Sequence, residues 1–292
     1  MSNDRLAVLK TYKLFIGGAF PRTESGRTLP VCNSKGELLA HLCHGSRKDL
    51  RNSVVAARKA QKSWAARAAY NRGQVLYRMA EMLEGKRGEF IEALLATTSG
   101  GERRAVKEVN AAIDCLVNYA GWADKYSQVV GCNNPVAGPF YNFTAPEATG
   151  VVGVIAPNDE PLLGLVAMLA PVIVSGNTAV VLGSEKHPLC TSVFAEVCAT
   201  SDVPGGVVNL LTGKRGELLE HFAGHRDINA IAAAGCSAKQ RKVLELGAAD
   251  NLKRVRVSSL KGAEWYDVKL THSPYRIERF VEMKTIWHPV GS

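Results

Sequence analysis

The spacing of apolar and polar positions divides the chain near residue 150. Before it, apolar residues recur at helical intervals. Ser46-Arg47-Lys48-Asp49 has the form of a helix N-cap with an acidic third position. Leu50, Val54, Ala57 and Trp64 then fall on one face of a predicted helix. A second helix is predicted from about Tyr70, with Leu76, Met79 and Leu83 inward and a break at Gly85-Lys86-Arg87-Gly88. Ser99-Gly100-Gly101 closes the next segment, and Val106 to Tyr126 reads as another long helix. Trp64, Tyr77, Tyr119 and Trp122 are expected in the core. Ahead of the helices, "KLFIGGAF" is a short strand-like opening, and Pro139 to Thr144 is a β-type run belonging to a hairpin.

From Gly150 short apolar runs alternate with helical ones. "VVGVIA", "TAVVL", "GVVNLL", "INAIAA" and "KRVRV" read as strands. Leu162 to Val174, Cys190 to Thr200, Glu217 to Ala223 and Ala238 to Ala248 read as the helices between them. Such alternation means βαβ units with right-handed crossovers and a parallel sheet covered on both faces, a doubly wound α/β fold. After Val257 no clean period survives until "RFVEMKTIWHPVG", whose alternation predicts one exposed strand ended by Pro289. A solitary strand needs a sheet to join, because its backbone donors and acceptors must find partners.

Composition narrows the class. Seven cysteines without metal-ligand spacing argue against a disulfide framework or a structural zinc site, and Cys115 and Cys198 read as small buried hydrophobes. The start, MSNDRLAVLK, lacks the apolar core of a signal peptide, and Leu162 to Val174 is too short to span a bilayer. A reduced, cytoplasmic setting is expected. The first 150 residues carry 21 Lys and Arg against 13 Asp and Glu, while the remainder is nearly balanced. Acidic residues are interspersed and no aromatic-basic strip accompanies them, so this charge reads as solvated surface rather than a nucleic-acid face.

A parallel sheet binds ligands beyond the carboxyl ends of its strands, so the turns at Ala156–Pro161, Gly183–Glu185, Thr212–Gly216 and Ala233–Ala238 are the places to look. Pro157-Asn158-Asp159-Glu160-Pro161 is unusual: two acids between two prolines, serving either a cation or a lost chemistry. "AAAGCSAKQ" has one glycine where phosphate-binding turns have two or more; the second position of a GxxxxG spacing falls on Gln240. Cys236 stands at a helix start but has no sequence neighbour able to act as base, and reads as structural or cofactor-lining. His221 and His225 have the spacing of a metal pair without a third ligand, and read as surface residues.

Several stretches taken together resemble the aldehyde dehydrogenase superfamily from about Lys13 to Val257: "LFIGGAF", "AARKAQKSWAARAAYNRGQVLYRMAEML", "EVNAAIDCLVNYAGWADK", "GVVGVIAPNDEPLL", "LAPVIVSGNTAVVL" with Glu185, "PGGVVNLLTG" and "NLKRV". "FVEMKTIWHPVG" is similar to the family's last strand, which mediates subunit association. The resemblance implies a Rossmann-like cofactor domain over residues 1–257, helical over 1–130, with a hairpin at about 137–149 and the parallel sheet over 150–257. A connecting segment at 258–278 and an association strand at 279–292 follow. It also implies departures. In active members the first turn reads Pro-Trp-Asn-Phe-Pro and its Asn amide steadies the oxyanion; the matching residue here is Asp159, which has no donor. The position of the family's general base matches Ser258, which cannot take that role unaided. A ribose-holding Glu is kept as Glu185 and its Lys partner is lost. Gly235-Cys236 matches the phosphate-side Gly-Ser pair, and Gly213 closes "PGGVVNLLTG".

The catalytic domain with its nucleophilic Cys would begin near Ser258, and no residue maps to that thiol. The pattern is similar to the degenerate second module of two-module (family-sixteen type) aldehyde dehydrogenases. The expectation is a protein without independent catalysis and with no metal site, holding NAD or NADP weakly through Glu185, Gly213, Gly235 and Cys236. It would be a partner or regulatory subunit of a complete aldehyde dehydrogenase, forming homo- or hetero-oligomers through the C-terminal strand, with neither nucleic acid nor membrane as partner. The alternatives are an NAD(P)-dependent aldehyde oxidoreductase completed in trans and a nucleotide-sensing module.

Overall fold

A computed structural model describes residues 8–33 and 35–291. The opening differs from a purely helical first part. Strands β1 (Lys10–Tyr12), β2 (Thr28–Cys32) and β3 (Leu38–Cys43) form a small sheet in the order β1-β3-β2. "LFIGGAF" is not a strand of it; Phe15 instead bridges to Leu210, tying the opening to the main body. Helices α1 (Arg47–Ala65), α2 (Ala69–Gly85), α3 (Arg87–Thr97), α4 (Gly101–Trp122) and α5 (Tyr126–Val130) follow. The Ser46–Asp49 capping box closes reciprocally at the start of α1, so two donors that the helix leaves free are satisfied. Leu50, Val54, Ala57 and Trp64 are buried on its inner face, and Leu76, Met79 and Leu83 on that of α2. Trp64 and Tyr119 are core residues as expected. Tyr77 is not: it is 52% exposed, and Trp122 is only partly buried.

β4 (Cys132–Asn134) and β5 (Phe140–Ala148) form the hairpin, and then the alternating half begins. Its elements are β6 (Val151–Ile155), α6 (Leu163–Val174), β7 (Thr178–Leu182), α7 (Leu189–Thr200), β8 (Val208–Leu211), α8 (Arg215–Gly224), β9 (Ala230–Ala234), α9 (Ala238–Ala249) and β10 (Arg254–Ser258). All neighbouring pairs are parallel in the order β10-β9-β6-β7-β8. The four strands from β6 to β9 are wholly buried, which is why they lack polar alternation. The fold is therefore the doubly wound α/β architecture that the alternation predicts. Among the described residues no helix is long and apolar enough to cross a membrane.

The aperiodic segment is ordered by contacts rather than by pattern. A 3-10 turn (Gly262–Tyr266), α10 (Val268–Thr271) and α11 (Tyr275–Glu278) lead into β11 (Val281–Pro289). Tyr119 of α4 donates to the Thr271 carbonyl at 2.7 Å, and Trp265 is fully buried. β11 does not wait for another chain's sheet. It pairs antiparallel with β5 of its own chain along its whole length, giving the order β11-β5-β4 and leaving the far edge of β11 unpaired among the described residues. Asn177, fully buried, fastens this arm to the parallel sheet. It accepts from the Gly150 amide at 2.7 Å and donates to the Phe280 carbonyl at 2.7 Å.

Every residue of α6 is buried, so the free N–H groups of its first turn cannot reach water. Glu108 of α4 supplies the cap from outside, accepting from Leu162 and Leu163 at 2.8 and 3.2 Å. Burial first, and the neighbouring Glu160 second, push the Glu108 carboxyl up to about 8. Glu160, 1% exposed, is balanced by Arg104 at 2.7 Å and by the Tyr266 hydroxyl at 2.7 Å. At the other end, Pro171 removes the N–H that would bond the Ala167 carbonyl. Arg276 reaches that carbonyl at 3.4 Å.

Two outcomes follow. Asn177→Ala leaves the buried Gly150 amide without a partner, at about 1–3 kcal/mol, and the Phe280 carbonyl with only the Thr149 amide at 3.3 Å. Urea titration is expected to show a loss in this range or above it, with earlier proteolysis near residue 280. Because folding raises the Glu108 pKa, its contribution is full below the unfolded carboxylate value and is lost as pH rises through about 8. Glu108→Gln mimics the protonated form at every pH. Its melting temperature is expected to match the parent near pH 4.5 and to exceed it by roughly 4 °C or more at pH 9; parallel pH profiles would refute a raised Glu108 pKa.

Candidate functional site

The sheet order fixes where a ligand crevice would open. β6 lies at the centre, β7 and β8 are added on one side, and α8 carries the chain back over the sheet to β9 and β10 on the other. The direction of winding reverses between β6 and β9, and crevices in such sheets lie outside the carboxyl ends at that reversal.

Arg215, the first residue of α8, crosses this point. It is 3% exposed. Its Nη2 donates to the carbonyl of Ala156, just beyond β6, and its Nη1 to the carbonyl of Gly235, just beyond β9, at 2.8 Å. Its backbone amide donates to Glu185 Oε2 at 2.9 Å. Burial lowers its pKa from the usual guanidinium value, opposed by the carboxylates of Glu185 and Asp159. Its Nε has no partner among the described residues. Nothing in local pattern distinguishes Arg215 from a solvated loop charge. The available signal was its place: a basic residue within the turn at Thr212–Gly216, one of the four at the sheet's carboxyl edge.

Asp159, Glu185, Gly235 and Cys236 lie around this guanidinium, whereas Gly213, Ser258, His221 and His225 do not. Glu185 is exposed on its outer side and touches Arg215 through the amide. Gly235 turns the chain at φ +60, a conformation that favours glycine, and leads into the Ser237–Gln240 capping box of α9. Gln240 thus serves the helix start. Cys236 is half-buried, its Sγ lies 3.8 Å from the Ala234 carbonyl, and burial raises its pKa. A raised thiol pKa disfavours the thiolate that a nucleophile requires. Gly213 stands one step back, where a Cβ would lie 3.1 Å from Leu218. Ser258 is elsewhere: its Oγ accepts from the Leu260 amide at 3.3 Å, and it lines a separate recess beside Arg256, Arg276 and Arg279.

The acidic turn is fully engaged. Asn158 Oδ1 accepts from the Ser184 hydroxyl at 2.9 Å and from the Glu185 amide at 3.0 Å, pinning the neighbouring turn. Asp159 Oδ2 accepts from the Gly262 amide at 2.7 Å. Glu160 holds Arg104, so the turn does bind a cation, one supplied by its own chain. Arg104, Glu108 and Tyr266 have no signal in the local pattern, because these partners come from α4 and the aperiodic segment, far away along the chain. His221 and His225 line a cleft with Arg47, Arg51 and Arg226, a cationic setting poorly suited to a metal ion.

A family profile described as "Aldehyde dehydrogenase family" matches residues 21–260. The mitochondrial benzaldehyde dehydrogenase of Antirrhinum majus is 33% identical over 248 residues, covering 83% of this chain and 46% of that protein. Retinal dehydrogenase 2 of Mus musculus is 33% identical over 254 residues, covering 85% and 48%. Among solved structures, the NAD+ complex of an aldehyde dehydrogenase from Bacillus cereus aligns with a TM-score of 0.80 at 27% identity, covering 85% of this chain and 50% of that one. A putative aldehyde dehydrogenase from Burkholderia cenocepacia aligns with a TM-score of 0.80 at 30% identity, covering 84% and 50%. The chain spans about half the length of the curated relatives it matches. Profile, relatives and doubly wound sheet agree: the chain belongs to the aldehyde dehydrogenase family.

Proposed function

We propose that this chain is a non-catalytic module of its family, with at most a vestigial hold on NAD or NADP, that works as a partner or regulatory subunit of a complete aldehyde dehydrogenase. The observation that carries the reading is the Arg215 guanidinium across the winding reversal, bonded to Ala156 and Gly235. A dinucleotide laid over the ends of β6 and β9 meets a buried side chain there, and displacing it frees two carbonyls and a desolvated cation. The residues present therefore do not fit the family's cofactor as the crevice stands.

Three further features support the absence of independent chemistry. Asp159, at the position of the family's oxyanion Asn, is an acceptor held by the Gly262 amide, whereas an oxyanion needs a donor. Ser258 has no base to assist it in the contacts that it makes. The thiol nearest the crevice, Cys236, is held in its neutral form by burial. The association role is supported by β11, nine residues long with an open edge, and by the exposure of Tyr141, Met283 and Trp287 on its sheet. A long open edge strand with one apolar face is a template for strand addition, which a second sheet edge of the same family would satisfy.

Calorimetry with NAD and NADP is expected to give no saturable binding at micromolar concentrations in the parent chain. Arg215→Gly is expected to tighten NAD binding by about tenfold or more, from a released steric and desolvation barrier of ~1.4 kcal/mol or above. Micromolar affinity in the parent, or weaker binding in the variant, would mean that Arg215 serves the cofactor. Co-expression with a complete aldehyde dehydrogenase is expected to give a co-eluting complex that Met283→Asp/Trp287→Asp disrupts. Two species that never co-elute would end the partner reading.

A further inference from the structure

β10 is an edge strand of the parallel sheet. Val255 and Val257 turn toward the core cluster under α8 and α9, so Arg256 and Ser258 turn to the opposite face. There Arg256, Ser258, Arg276, Arg279 and Phe280 line a recess of about 20 Å³, enough for one water or one oxygen of a ligand. Arg256 and Arg279 continue into an adjoining cleft of about 590 Å³ that also takes in Arg241, Tyr275 and Glu278.

Arg276 is 8% exposed, and its Nε is buried without a partner. Its terminal nitrogens donate to the carbonyls of Leu270 in α10 and Ala167 in α6 at 3.3 and 3.4 Å, and these bonds leave the Nε–H unused. Neither Arg256 nor Arg279 makes a side-chain hydrogen bond or ion pair among the described residues. Other cations nearby are already paired: Arg241 with Glu245 at 2.7 Å and Arg254 with Glu282 at 2.6 Å. Burial, and then the charges of Arg276 and Arg256, lower the pKa of Arg279. Three guanidiniums thus face a common space against one carboxylate of the lining, Glu278. Guanidinium forks match oxyanions in both charge and geometry. The three come from β10, from α11 and from the turn after it, and all line the one recess. A tetrahedral group offers oxygens in several directions; a planar carboxylate offers two in one plane.

We infer that the β10 edge carries a binding site for a small phosphate-bearing anion of at least two negative charges, with one oxygen seated beside Arg276 and the rest held by Arg256 and Arg279. The site is separate from the Arg215 crevice.

The full chain is titrated with sodium pyrophosphate at low salt, by calorimetry and thermal shift, beside the Arg256→Gln/Arg279→Gln variant and with citrate as the carboxylate control. Saturable binding that weakens with salt is expected, reduced about tenfold or more in the variant, with citrate binding less tightly to the parent. Both substituted residues are on the surface. Relief of their mutual repulsion is expected to leave the ligand-free variant at least as thermostable as the parent at low salt. No pyrophosphate binding at millimolar concentrations, equal binding by the variant, citrate binding as tight as pyrophosphate, or a less stable ligand-free variant would each overturn the assignment.

Discussion

The structure depends on one constraint: the carboxyl end of β6 and the helix after it are enclosed, yet they present polar backbone that must be satisfied from within the chain. Where such a turn faces a bound ligand, the ligand can do part of this. Here side chains of the chain itself do that part. Arg215 takes the Ala156 carbonyl, Glu108 takes the first amides of α6, and Asn158 ties the neighbouring turn. Each choice brings a further demand. A buried Glu108 beside Glu160 cannot hold two charges, so one proton is retained and Arg104 answers the other. Tyr266 completes that arrangement, and through it the segment after β10 is drawn onto α4.

The energetic balance explains why the arrangement holds. Taking a guanidinium out of water costs several kcal/mol after relaxation, a cost that two carbonyl bonds and the surrounding negative field must offset. Arg215 has both. Arg104 stays half in water, so its side of the pair is partly screened, and the weight of that contact lies in keeping Glu160 from being an unpaired buried charge. The two ion systems therefore differ in kind. Arg215 fills a crevice, whereas Arg104 neutralises a substitution within a turn.

Much of the fold was legible because it is periodic. The helices α1, α2 and α4 carry their faces openly, the capping box at Ser46 marks its helix, and uninterrupted apolar runs mark the buried strands. β2 and β3 were not legible: Pro30 and the polar connection around Gly36 break their alternation, and the pairing that stabilises them is tertiary. The pairing of β11 with β5 joins segments more than a hundred residues apart and has no local trace. The segment over 258–278 lacks a period because its helices are single turns, each held by contacts such as Tyr119 with Thr271. At the site, the turns beyond β6, β7, β8 and β9 are marked in the sequence by their place at the strand ends, and Asp159, Glu185, Gly235 and Cys236 lie on them. Arg215 is not legible there, since a loop arginine reads as solvated until the strand order shows what it spans.

The arginines at β10 invite a simpler explanation, that they guard an open sheet edge against pairing with other chains. Natural edges are indeed blunted by charge. That purpose is met by an exposed residue such as Arg256. It gives no reason for a buried Arg276 with an unused donor, nor for Arg279 beside both. Arg276 has two structural duties, the Ala167 carbonyl that Pro171 leaves open and the Leu270 carbonyl, and neither needs a charged donor. A permanent charge, converging with two others on a recess the size of a single oxygen, is costly in an empty fold. The cost is recovered when an anion enters, which is why the cluster is better understood as a site than as a fence.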